Sequence, residues 1–250
     1  MAEFDRPSVS ARPGTVADVD QGLRSYMLKV YNYMTIGLVI TGVVAYGAFA
    51  AAVTQVNGQI TGLTSFGGLL FESPLRWVVI LSPLAFVLVL SFGINKLSAG
   101  MAQLLFWLFA AVMGLSLSSI FLVYTGQSIT QVFFITAATF GAMSLYGYTT
   151  KRDLTGIGSF LIMGLFGLII ASIVNIFLQS SGLGFAISII GVLIFVGLTA
   201  WDTQKIKNNY DVGLGAEVLA KGAIMGALSL YLDFINIFLF LLRIMGNNRS

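Results

Sequence analysis

The sequence predicts an all-α membrane protein with seven transmembrane helices. Three observations lead there. Of 250 residues, 57% are hydrophobic and only 9% are charged, whereas a soluble domain carries about 25% charged residues. Residues 97–150 and 154–201 hold no charged residue at all, and each stretch accommodates two helices of the roughly 20 residues that span a bilayer core. The apolar runs are apolar on every face, while the strands of a membrane barrel alternate over about ten residues.

The elements follow in order. Residues 1–24 are polar and contain Pro7 and Pro13. They lack the basic-then-apolar order of a secretory signal and read as a disordered cytoplasmic tail ahead of a transmembrane domain over 25–250. The first span is expected over Tyr33–Val53. Thr54–Phe71, rich in Gly, Thr, Gln and Ser, reads as an exposed loop. A second span covers 77–95, with Pro74 near its start. The uncharged stretch 97–150 divides at Tyr124–Ser128, and 154–201 divides at Gln179–Gly182. The last span runs from Gly222 to Arg243, which makes seven. Glu72 and Arg76, four residues apart, are expected to pair at the surface if their segment is helical.

Lys and Arg set the expected orientation. With the N-terminus cytoplasmic, 10 of the 13 basic residues lie inside and only Arg76, Arg243 and Arg249 lie outside, which leaves the C-terminus outside. The absence of Cys and His removes disulfides, thiolate nucleophiles, imidazole chemistry and the usual zinc sites. A net charge of +3 is too small to imply nucleic acid. No cofactor is expected, and the lipid bilayer is the expected surrounding.

Asp233 is the one acidic or basic residue deep in an expected span. A carboxylate at a helix centre costs about 2.5–3.5 kcal/mol on insertion scales, so it should face protein or water, and such residues are functional by default. A purely structural polar contact is the alternative. Gly222, Gly226, Ser229, Asp233 and Asn236 share one helix face, and small residues let neighbouring backbones approach. Asp202 closes the sixth span beside Lys205 and reads either as an interfacial charge or as a partner of Asp233. If the two carboxyls meet in a dry site they share one proton and form a proton-sensitive latch. Straight helical rise opposes this, placing Asp202 about 10 Å deeper than Asp233. Asn175, in the fifth span, is a further bundle-lining candidate for a hydrogen bond.

Paired aspartates on two spans also suggest an intramembrane protease. That signature requires Gly-x-Gly-Asp, whereas Leu230-Tyr231-Leu232 precedes Asp233 and no Pro-Ala-Leu follows. A non-enzyme is expected.

Four segments resemble the Bax inhibitor-1 family, its bacterial branch in particular: Ala227–Asn236, Trp201–Ile206, Lys151–Leu154 and Asn175–Phe177. The resemblance implies a bacterial inner-membrane protein in which six helices surround a central C-terminal one. It implies a calcium leak gated by pH, with Asp202 and Asp233 matching two aspartates that hydrogen-bond and close the pore from the cytoplasmic side. The same two residues would be the calcium contacts, with Ser229, Asn236 and Asn175 lining the path. An arginine near the end of the family's second helix has no match here, Lys96 being the nearest basic residue. Some members lack the second aspartate and act through proteases. Two functions are therefore carried forward: a pH-sensitive calcium leak, and a regulator of a partner such as a membrane-bound quality-control protease. A proton-coupled transporter is a third.

Overall fold

A computed structural model describes residues 16–56 and 59–249, with side chains from Asp20 onward. Among the described residues, seven helices are long and apolar enough to cross a membrane. They are α1 (Val16–Ala52), α2 (Leu75–Gly93), α3 (Ala99–Leu117, continued by a turn over Ile120–Val123), α4 (Gly126–Thr149), α5 (Thr155–Leu178), α6 (Ser181–Asn208) and α7 (Ala216–Met245).

The turns carry local chemistry that explains them. Ser98, Thr125 and Ser180 cap α3, α4 and α6, each accepting 3.3 Å from a backbone N–H three residues on. Gln179 ends α5 in the left-handed conformation, at φ 49°. Pro74 precedes α2, where its missing N–H costs nothing.

Three boundaries differ from the sequence reading. α1 begins at Val16, so residues 16–24 of the expected tail are helical. Residues 1–15 lie outside the described residues. Helix continues upstream because Tyr26, Met27, Val30 and Met34 are buried at helical spacing and hold that turn against the bundle. The expected loop after α1 contains a β-hairpin, β1 (Val53–Val56) pairing antiparallel with β2 (Gln59–Leu63). A short helical stretch over Ser65–Glu72 follows it. Asn57-Gly58, a strong hairpin signal in sequence, stands between the strands. Finally, α6 extends to Asn208 and α7 starts at Ala216, so only residues 209–215 connect them.

Glu72 and Arg76 do not pair. Ser73 is extended and breaks the helix between them, and Arg76 lies over the Trp77 ring at 5.1 Å.

Burial is uneven. In α7, 61% of the most apolar window is buried, against 6% in α5. Four helices, α1, α3, α4 and α6, lie against α7, while α2 leans on α3 and α5 leans on α6. Tyr231 of α7 is fully buried, its hydroxyl 2.7 Å from Thr41 Oγ1 of α1, which donates to the Ala110 carbonyl of α3 at 2.8 Å. Phe106 and Phe109 pack edge-on against the same tyrosine ring. Bare glycine backbone sets two further contacts: Gly147 of α4 lies against the Ala200 carbonyl, and Gly158 of α5 against the Trp201 ring.

Candidate functional site: two carboxyls between linked cavities

The antiparallel register of α6 and α7 is fixed by two contacts. Ile206 sits on Gly226, and the Phe240 ring sits on Gly191. This register sets Asp202 opposite Ser229, one turn from Asp233 on α7. The offset is about 5.4 Å along the axis, smaller than the sequence estimate, because α6 continues past Asp202 by nearly two turns.

Helix geometry closes the remaining gap. Side chains lean toward the N-terminus of their own helix. In an antiparallel pair those leanings oppose, so Asp202 tilts toward Asp233 and Asp233 tilts toward Asp202. The two carboxyls line the same cavity and lean toward each other along it. Asp233 is 4% exposed, and its Oδ2 has no donor among the described residues. Asp202 is half-buried. Lys205 turns aside, its Nζ 4.8 Å over the Trp201 ring.

Three cavities follow α7. One of about 280 Å³ is lined by Asp202, Lys205, Asn209, Val218, Gly222 and Ser229. A second, of about 600 Å³, includes Ser172, Ile176, Asp202, Ser229, Asp233 and Asn236. A third, of about 320 Å³, includes Ser172, Asn175, Ile176, Gly184 and Arg243. The first and second share Asp202 and Ser229; the second and third share Ser172 and Ile176. From Val218 to Arg243 the helix rises about 38 Å, more than the ~30 Å hydrocarbon thickness of a bilayer.

The expected site residues thus separate into two groups. Asp202, Ser229, Asp233 and Asn236 line one cavity. The Asn236 amide is also tied locally, donating to the Leu232 carbonyl at 2.8 Å. Asn175 lies apart on the third cavity, where its Oδ1 accepts from Ser180 N at 3.1 Å and closes the α5–α6 turn. Sequence reasoning missed Ser172 and Ile176, which are unremarkable in an apolar helix, and Arg243, read only as a topological charge. It also missed a hydrogen-bonded row crossing α1, α4 and α6: Tyr31 Oη to Ser144 Oγ at 2.6 Å, and Ser144 Oγ to Thr203 Oγ1 at 2.9 Å. Lys96, at the turn after α2, lines none of the three cavities.

Among the described residues no group of three or more acids could hold a metal ion. Two carboxyls supply a fraction of the six to eight oxygens that calcium takes.

The family model described as Inhibitor of apoptosis-promoting Bax1 matches residues 23–250. The chain belongs to the Bax inhibitor-1 family. The inner membrane protein YbhL of Escherichia coli (strain K12) is 49% identical over 247 residues, covering 95% of this chain and 98% of the relative. Uncharacterized protein RP147 of Rickettsia prowazekii is 50% identical over 231 residues, covering 92% and 93%. YrjE of Lactococcus lactis is 40% identical over 225 residues, covering 90% and 92%. Membership and seven long apolar helices make the chain an integral multi-pass membrane protein of the Bax inhibitor-1 type.

Proposed function

We propose that the protein is a passive, pH-sensitive leak for cations, calcium among them, and not an enzyme. The single observation that carries this is the row of three cavities along α7 that share wall residues, with Asp202 common to the first and second and Asp233 in the second. Two facing carboxylates hold no hydrogen between them until one is protonated. A shared proton joins α6 to α7 across the path; its loss leaves two like charges in contact, which repel. The joint between the cavities therefore responds to proton concentration. With few oxygen ligands and a largely apolar wall, the expected conductance is a slow leak. The basic ends of α1, α4, α6 and α7 favour a cytoplasmic N-terminus in the inner membrane.

The test is calcium flux into liposomes carrying the purified protein, scanned over pH. Wild type should show pH-dependent flux. Asp202→Asn and Asp233→Asn each leave at most one charge in the pair, and each should flatten the profile. Wild-type profiles from both variants reject the latch. A protein that never raises calcium permeability, yet co-purifies with a membrane protease, is a regulator instead.

A further inference from the structure

A groove unrelated to the α7 path opens between α1 and α4 at the basic end of the bundle. Its volume is about 520 Å³, and its walls include Met27, Leu28, Phe140 and Leu145. Leu28 and Leu145 are more than half exposed, so the groove opens on the outer surface of the bundle. Arg24 stands at its mouth. The only ion pair among the described residues is Lys221–Glu217, so Arg24 has no carboxylate partner there, although Asp20 lies one turn earlier on α1. A second positive charge stands behind the same wall: Lys207 Nζ donates to the Tyr148 carbonyl at 2.8 Å and lies 5.2 Å over the Tyr148 ring. The groove thus joins an apolar slot to a cationic end.

We propose that this groove seats one anionic phospholipid, with an acyl chain along Met27, Leu28, Phe140 and Leu145 and the phosphate on Arg24. Charge complementarity selects the occupant, since a basic mouth favours an anionic headgroup over a zwitterionic one. The floor of the seat is polar and wired inward. Tyr31 and Ser144 line it, and Ser144 bonds Thr203, the residue after Asp202. A lipid in the seat bears on α1 and α4 where they are tied to the helix that carries Asp202.

Gly141 lines the groove, and a Cβ added there meets no atom within 4 Å. Gly141→Phe therefore starts its side chain from open space on the groove wall and should obstruct the seat. Gly167 on α5 is equally unobstructed but lies outside the groove, and Gly167→Phe is the control.

The experiment is native mass spectrometry of the full-length protein with phosphatidylglycerol or phosphatidylcholine added. Wild type should retain phosphatidylglycerol preferentially. Arg24→Gln should reduce that preference by roughly fivefold, the factor given by ~1 kcal/mol per basic side chain at a charged bilayer surface. Gly141→Phe should abolish retention, and Gly167→Phe should leave it intact. Equal retention by wild type, Arg24→Gln and Gly141→Phe overturns the proposal, as does equal loss in Gly167→Phe. Two other occupants would also overturn it: a dimer that Gly141→Phe dissociates, or retention seen only after residues 1–15 are deleted. A flux comparison in phosphatidylglycerol and phosphatidylcholine liposomes rests on the leak reading. Absent flux with retained lipid binding rejects the leak and leaves the lipid seat standing.

Discussion

Ile206 packs its side chain on the bare backbone of Gly226, and an added Cβ there would stand 3.2 Å from three atoms of the isoleucine. This contact fixes the height of α6 against α7, and with it the one-turn offset between Asp202 and Asp233. Gly226→Leu forces the helices apart. It should lower stability by about 1–3 kcal/mol, the usual cost of overpacking, and loosen the pH response of calcium flux. Gly226→Ala should do far less, since the isoleucine can give by a few tenths of an ångström. Thermal unfolding in detergent separates the two.

The carboxyls should behave as one unit. If each Asn variant already breaks the shared-proton contact, the double variant Asp202→Asn/Asp233→Asn removes little more. Its flux profile should match the single variants, and the pair should show strong non-additivity in a double-mutant cycle. Additive effects on the pH profile would mean that the two groups act separately.

Ser144 holds α1 and α6 through one hydroxyl. Ser144→Ala removes both bonds and leaves the Tyr31 hydroxyl unpaired, for an expected loss of about 1–3 kcal/mol. Tyr31→Phe in the same background should restore part of that stability, because the orphaned hydroxyl is gone. Melting temperatures of the four proteins check this.

Arg243 places a positive charge at the third cavity, beside Asn175. On the leak reading, Arg243→Gln should raise calcium flux roughly twofold to fivefold at low ionic strength, the range expected for removing one unit charge from the wall of a cavity that a cation crosses. The difference should shrink as salt is added. A salt-independent change would assign Arg243 to packing against Phe240 instead.

Asp153 lies in the α4–α5 connection and accepts from Thr155 N at 2.9 Å. Its hydrogen bonds with Thr155 hold the carboxyl below the ordinary carboxylate range. The sign follows from the depressed value: the contribution is fully present above the unfolded-state pKa and is lost as pH falls through the lower folded one. Asp153→Ala should therefore be slightly less stable than wild type near neutral pH and indistinguishable from it well below pH 3.8.

Much of the architecture lies open in the order of residues. The charge-free stretches, the Tyr124–Ser128 break and the Gln179–Gly182 break are local signals, and caps at Thr125 and Ser180 stand inside those breaks. Asp233 identified itself because a lone acid in an apolar helix is expensive anywhere in lipid. The hairpin at Val53–Leu63 was equally local, and Asn57-Gly58 marked it, but the polar composition of the segment masked the pairing.

The placing of Asp202 and Asp233 on one cavity was a different kind of fact. Counting residues from presumed membrane edges set them about 10 Å apart in depth, because charge and hydropathy report where lipid ends and not where a helix ends. The sequence by itself determined seven spans, their turns and the one deep acid, since each depends on neighbours along the chain. Only the tertiary structure decided the α6–α7 register, the linked cavities and the Arg24 groove. Those depend on which side chain meets which bare glycine across two helices, a choice made by steric fit at long range.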